Sequence, residues 1–226
     1  IDDFEHVVRD FFASGGYALS VTAPFKARAY SLANQHNPHT LLSQTANHLI
    51  AKKDLLLADN TDGIGLVADL RRMGRVLKDK NLLIIGSGSV IYSVLSSLEA
   101  EAPKRIDLLM RDSSKLDDFI QKSHLVDAYA PEISYDLVIN TTPNTFENTL
   151  FSQVKQLSTH ALAYDMIYTA RQTMFLKAME QLNAEITQTN GIGMLIQQAA
   201  AAFSLIFNQT PDVDPLYPLL QDKMNG

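Results

Sequence analysis

The chain contains no cysteine among its 226 residues. That excludes disulfides, thiolate nucleophiles and thiolate metal sites, and it fits a reducing compartment. Long apolar runs are also missing. The best candidate, residues 82–91, is broken by Gly86, Ser87, Gly88 and Ser89, and it falls short of the roughly 18 residues a membrane span requires. The opening IDDFEHVVRDFF is an amphipathic helical pattern with acids ahead of it. It lacks the basic start and small-residue cleavage site of a secretory leader. Basic clusters are absent: Lys and Arg are scattered through a chain of net charge -6, so no nucleic-acid footprint is present. The six His residues show no ligand-like spacing. The expectation is a cytoplasmic protein with a small-molecule substrate, no metal, no membrane contact and no nucleic-acid partner. An acidic total does not exclude an anionic substrate, because a few placed cations decide a pocket.

What is present is an alternation of apolar strands and helices. Helical periodicity covers residues 4–12, and a Gly15-Gly16 break leads to a short strand at 17–21. A helix is expected after Pro24, a turn at Asn37-Pro38, and short strands at 48–50 and 55–58. Strands are then expected at 81–85, 105–110, 135–140 and 161–166. Helices are expected at 90–100, 116–122, 151–157 and 173–183. Such alternation predicts an α/β fold with a parallel sheet covered on both faces by right-handed crossovers. An Ala-rich apolar helix at 193–207 precedes a Pro-containing tail from Pro211.

The strand NLLII runs into Gly86-Ser87-Gly88-Ser89 and then a helix. This arrangement brings backbone N–H groups and a helix N-terminus onto a pyrophosphate. The fingerprint is incomplete, since Ile91 stands where a third Gly would fall, and an ordinary glycine turn closing a strand is the other reading. The next strand ends in Met110-Arg111-Asp112-Ser113-Ser114-Lys115. Arg111 and Lys115, with the two hydroxyls, match a 2′-phosphate clamp and favour NADP over NAD. Asp112 opposes that choice.

A second polar constellation lies nearer the N-terminus. Ser20, Thr22 and Lys26 surround a strand end and a helix start, and Asn60-Thr61-Asp62-Gly63 precedes the next helix. A Lys and an Asp facing each other can pass a proton to a hydroxyl that gains or loses hydride, with the Lys charge stabilising the developing alkoxide. Asn47 and Asn60 can orient substrate hydroxyls. The alternatives are a surface lysine and an Asp62 that only caps its helix.

From Ser20 nearly to the C-terminus this ordered series resembles the shikimate dehydrogenase family. SVTAPFK corresponds to the substrate-side motif, with Lys26 at the catalytic lysine. QTANH keeps Asn47, and Asn60–Gly63 is intact, with Asp62 at the catalytic aspartate. Gly86 to Ser89 stand at the glycine turn, Met110-Arg111-Asp112 at the Asn-Arg-Thr strand end, and Asn140, Thr141 and Thr142 beside the nicotinamide side of the cofactor. Tyr164–Tyr168 and Gly191–Ala199 complete the series.

The resemblance implies two α/β domains, one of them Rossmann-like, with the active site in the cleft between. The first would be built from residues 1–66 plus 189–226, with 67–188 as the NADP-binding domain. It implies reversible NADP-dependent reduction of 3-dehydroshikimate to shikimate. Lys26 and Asp62 would be catalytic, and Ser20, Thr22, Asn47, Asn60, Tyr168 and Gln198 would bind substrate. Gly86, Ser87, Gly88, Ser89, Arg111, Lys115, Asn140, Thr141, Thr142, Met166, Gly191 and Met194 would bind cofactor. His48 replaces the family's usual Thr and Ser20 its Asn. The family's opening strand and helix with a Ser-x-Ser-Pro motif have no equivalent here, so the chain is expected to start after them. A quinate- or NAD-using relative, and a non-catalytic dinucleotide-binding protein of the same fold, remain as alternatives, and a homodimer is left open.

Overall fold

A computed structural model describes residues 3–143 and 149–225. Two α/β lobes share the chain. The first is a four-stranded sheet of order β1-β3-β4-β2, formed by β1 (Ala18–Ser20), β2 (Gln35–His36), β3 (His48–Lys52) and β4 (Leu55–Asp59). β3 and β4 form an antiparallel hairpin in register from His48↔Asp59 to Lys52↔Leu55. Helices α1 (Phe4–Ala13), α2 (Lys26–Leu32) and α3 (Thr40–Ser43) accompany this sheet. Phe4, Val8, Ala29, Leu49 and Ala58 form its core.

Helix α1 buries Phe4 and Val8, one turn apart on a single face, and Asp3 caps it by accepting from His6 N–H at 3.3 Å. Arg28 of α2 grips both carboxylate oxygens of Glu5 and lies 5.3 Å and 5.5 Å from the Phe4 and Phe25 ring centres. The hydrogen bond from Arg28 lowers the Glu5 pKa to about 2 from 4.5. A carboxylate depressed in the folded state adds stability above its unfolded pKa and loses it as pH falls toward the folded one. The stability gap between the parent and Glu5→Gln is therefore expected to close between about pH 4.5 and pH 2. Urea midpoints across that range check it.

The second lobe is a six-stranded sheet, parallel throughout. Its strands are β5 (Asn81–Ile85), β6 (Arg105–Leu109), β7 (Val126–Ala128), β8 (Tyr135–Asn140), β9 (Leu157–Asp165) and β10 (Thr187–Thr189). The order β7-β6-β5-β8-β9-β10 is that of a doubly wound dinucleotide fold, whose ligand crevice opens at the carboxyl ends of β5 and β8. Period-two alternation sends Leu82 and Ile84 to one face, with Val94, Leu98 and Phe119 of α5 (Val90–Glu99) and α6 (Leu116–Lys122). Leu83 and Ile85 go to the other, with Phe175 and Met179 of α7 (Met174–Leu182). Burial on both faces explains why NLLII is nearly all apolar.

Helices α4 (Asp62–Arg72) and α8 (Ile192–Phe207) join the lobes and pack on each other. Their approach is close: a Cβ on Gly65 would stand 2.6 Å from that of Gln198, and one on Gly193 only 2.1 Å from the Asp69 carboxylate oxygens. No helix among the described residues is long and apolar enough to cross a membrane.

The two-lobed α/β expectation is borne out, with corrections in detail. Residues 151–157 are not a helix. A single 3-10 turn at Phe151–Gln153 gives way to extended backbone at Val154, and Leu157 already pairs with Tyr135 as the start of β9. The tail contains helix α9 (Leu216–Asn225) after Pro211. The short edge strands β7 and β10 were not anticipated.

Candidate active site

Lys26 is the first residue of α2, reached through a cis Ala23–Pro24 peptide. Asp62 is the first residue of α4, and the two meet at 2.7 Å between Nζ and Oδ2. Asp62 does not cap its helix. Thr61 occupies the cap position, which leaves the carboxylate free to face Lys26 in the favourable field of the helix N-terminus. The side chains retain 26% and 11% of their exposure, so the pair is largely desolvated yet open to the cleft.

Asn47 fixes this pair. Its Nδ2 donates to Asp62 Oδ1 at 3.0 Å, and its Oδ1 accepts Thr61 N–H at 3.0 Å. Asn47 stands at the head of β3, where Val21 N–H donates to its carbonyl and its own N–H donates to the Asp59 carbonyl. Strand pairing thus delivers the amide to the start of α4.

The cleft holds about 490 Å³. It brings together Ser20, Thr22, Lys26, Asn47 and Asp62 from the first lobe with Met166, Tyr168, Gly191, Met194 and Gln198 from the β9 end and α8. Val21, His48, Val90 and Leu195 also line it, and sequence reasoning had not counted them among the site residues. Leu195 was findable, since it lies three residues before Gln198 on one helix face. Val90 opens α5 directly after the glycine turn, so the cleft runs on toward that turn.

Asn60 requires a correction. It is 2% exposed and lies outside the cleft lining. Its amide donates to Thr45 Oγ1 at 2.9 Å and Ser93 Oγ at 3.0 Å, while its carbonyl accepts Asp62 N–H at 3.1 Å. With its amide turned inward, Asn60 braces Asp62 from behind and offers no group to a ligand.

At the carboxyl end of β5, Gly86 adopts φ +135°, a conformation that favours glycine. A Cβ there would also sit 2.2 Å from Thr141 Oγ1. Ser87 is half-buried and Gly88 and Ser89 are exposed, with nothing within 4 Å of where a Gly88 Cβ would be. Asn140 is buried, its amide donating to Asp165 and its carbonyl oxygen accepting from Thr142 N–H and Oγ1. Thr141 donates both N–H and hydroxyl to the Ile85 carbonyl. These side chains clasp β8 to β5 and β9, leaving the half-buried Thr142 and the backbone to face a ligand. Gly191 admits no side chain either, since a Cβ would meet the Met166 carbonyl oxygen at 2.3 Å.

Arg111 and Lys115 are exposed beyond β6. Asp112 turns its carboxylate back onto Ser114 N–H at 3.0 Å, capping the 3-10 turn Ser113–Lys115. Its hydrogen bonds to Ser114 hold its pKa below the ordinary value. A glycine cradle at the switch point, an open approach at Gly88 and two cations past β6 fit a phosphorylated dinucleotide. Among the described residues no group of three or more His, Asp or Glu is arranged to hold a metal ion.

A Lys–Asp pair set across a cleft from the switch point of a doubly wound sheet is the layout of a two-lobed α/β dehydrogenase. The chain is 36% identical to a shikimate dehydrogenase (NADP(+)) of Glaesserella parasuis over 98% of its own length and 84% of that protein's, and 31% identical to one of Pseudoalteromonas atlantica over 98% and 85%. It belongs to the shikimate dehydrogenase family. Residues 191–221 match the model of the shikimate 5'-dehydrogenase C-terminal domain. Among solved structures, a chorismate mutase/shikimate 5-dehydrogenase fusion protein from Clostridium acetobutylicum shares the fold. Its TM-score is 0.86 at 24% identity, covering 100% of this chain and 84% of the other.

Proposed function

We propose that this protein catalyses the reversible, NADP-dependent reduction of 3-dehydroshikimate to shikimate. The observation that carries the reading is the 2.7 Å Lys26–Asp62 pair inside a polar cleft that reaches toward the β5 glycine turn. NADP, when bound, supplies the hydride for reduction or accepts it in the reverse direction, with Gly86 to Ser89, Thr142, Met166, Gly191 and Met194 holding it. The ammonium of Lys26 faces the substrate oxygen, stabilises the charge that develops there and delivers the proton. Asp62 orients that ammonium, and Asn47 fixes Asp62 from the opposite side. Ser20, Thr22, Tyr168 and Gln198 present hydroxyl and amide groups to a polyhydroxy acid, which suits an oxygen-rich ligand better than an apolar one.

On this reading residues 1–66 and 189–226 form the substrate side and residues 67–188 the NADP side, a division that follows the separation of the strands into two sheets except that β10 carries Thr189 into the NADP-side sheet. A cytoplasmic location goes with it, since the reaction draws on a pool of phosphorylated dinucleotide. Absorbance at the reduced-nicotinamide band, with shikimate and quinate each offered alongside NADP and NAD, tests the proposal. Turnover is expected with shikimate and NADP. Turnover only with quinate, or only with NAD, overturns the substrate or cofactor assignment, and binding without turnover overturns the enzyme. Arg111→Ala is expected to lower the preference for NADP over NAD about tenfold, through loss of a charge-assisted phosphate contact. An unchanged ratio of kcat/KM values would remove Arg111 from the clamp.

A further inference from the structure

His48 lines the cleft yet takes no part in the proton transfer just described. It stands on β3, 4% exposed, between Ser20 of β1 and Thr61 at the head of α4. Its Nδ1 is 3.4 Å from Ser20 Oγ and its Nε2 is 3.1 Å from Thr61 Oγ1. The Thr61 hydroxyl has a single proton, and it donates to Gln198 Oε1 at 3.3 Å. Thr61 Oγ1 and Gln198 Oε1 also accept from Asn47 Nδ2, at 3.2 Å and 3.4 Å.

One assignment satisfies all of these contacts. With the Thr61 proton directed at Gln198 Oε1, which can only accept, Nε2 of His48 is the donor to Thr61. A neutral imidazole protonated at Nε2 leaves Nδ1 as an acceptor, so the Ser20 hydroxyl donates to it. Donation then runs from Ser20 to His48, to Thr61, to Gln198. The Gln198 oxygen is consumed in the wall, leaving its amide N–H groups for the cleft, and the exposed Ser20 keeps its oxygen lone pairs outward.

We propose that His48 is a specificity-determining positioning residue. As the neutral Nε2–H tautomer it fixes Gln198 as a donor and Ser20 as an acceptor, so that the wall selects a ligand with an accepting oxygen at Gln198 and a hydroxyl at Ser20. This rests on the reading of the cleft as the site for a polyhydroxy acid. Protonation of the ring would make Nδ1 a donor as well and turn the Ser20 hydroxyl outward as a donor, while Nε2, Thr61 and Gln198 would keep their directions. Burial holds the imidazole below its ordinary value. Of the charges facing it, Asp59 of β4 and Asp62 of α4 pull upward and Lys26 of α2 pushes downward.

Nitrogen NMR of the full chain with labelled histidine tests the tautomer, with the His48 signals identified by their loss in His48→Gln. His48 is expected as the Nε2–H form at pH 7 and still neutral at about pH 6.5, where an ordinary imidazole is half protonated. An Nδ1–H tautomer, or an imidazolium at pH 7, overturns the proposal. Steady-state kinetics supply the second readout. His48→Phe, which removes both hydrogen bonds, is expected to raise the shikimate KM about tenfold, with kcat and the NADP KM within about twofold. His48→Gln, which keeps a donor for Thr61, is expected to raise it less. Equal shikimate KM values in the parent and both variants overturn the proposal. If the parent enzyme turns over no shikimate, the functional reading fails instead, and the NMR result still decides the direction of the chain.

Discussion

Replacing Lys26 with methionine is expected to lower kcat by about two to four orders of magnitude, the range that a positioned proton donor contributes. Methionine keeps a flexible apolar stem, so the start of α2 should pack as before. What disappears is the ammonium that meets Asp62 at 2.7 Å and faces the cleft. Cofactor affinity is expected to stay within about twofold, because Lys26 opens α2 in the first lobe while the glycine turn lies between β5 and α5 in the second. NADPH titration alongside single-turnover kinetics separates the two effects. A Lys26→Met enzyme with parental kcat would sink the assignment, and one that simply fails to bind NADPH would make Lys26 a structural residue. Asp62→Asn should fall in the same range. The double variant should be little worse than either single one, since the pair acts as a unit and such losses do not add.

That Lys26 and Asp62 act together followed from the family resemblance, because spacing along the chain cannot show that two such groups converge. Residue type alone could not say which way each amide turns. Asn47 and Asn60 are both buried polar residues near Asp62, yet one reaches the cleft and the other faces Thr45 and Ser93. That difference follows from strand pairing, which delivers Asn47 to the head of α4, and from α5 packing, which brings up Ser93. The doubly wound sheet was legible in NLLII, RIDLL and YDLVIN, because strands buried on both faces must be apolar. β7 and β10 escaped notice for the opposite reason. They are three-residue edge strands, VDA and TQT, with too little buried surface to leave a pattern. The segment from Phe151 has helical spacing, but its apolar residues serve the sheet, and a sequence window cannot separate these uses over seven residues.

Replacing Tyr164 with phenylalanine is the change expected to cost most stability for the fewest atoms, about 3 kcal/mol. Its hydroxyl is fully buried where the lobes meet. It donates to Asp69 Oδ2 of α4 at 2.8 Å and accepts Met194 N–H of α8 at 3.2 Å, so one atom ties β9 to both crossing helices. Burial drives the phenol pKa far above its ordinary value, and the group is a neutral donor at any working pH. Phenylalanine fills nearly the same volume, so no large cavity forms. Among the described residues the buried Asp69 carboxylate keeps only the Arg72 Nε bond at 2.8 Å, and the Met194 N–H loses its Tyr164 acceptor. A charge-assisted bond and an orphaned buried N–H each cost about 1–3 kcal/mol, a large share of the roughly 5–15 kcal/mol that holds a typical domain together. Asp69 cannot move off to water, because Gly193 closes over its carboxylate and Arg72 is itself held over the Tyr217 ring at 4.1 Å. Urea unfolding should show a lower midpoint at unchanged slope, which marks lost stability without a change in the surface exposed. A parental midpoint would mean that Asp69 and Met194 find other partners. A lower slope would mean that the lobes part before they unfold, making this hydroxyl the latch between them.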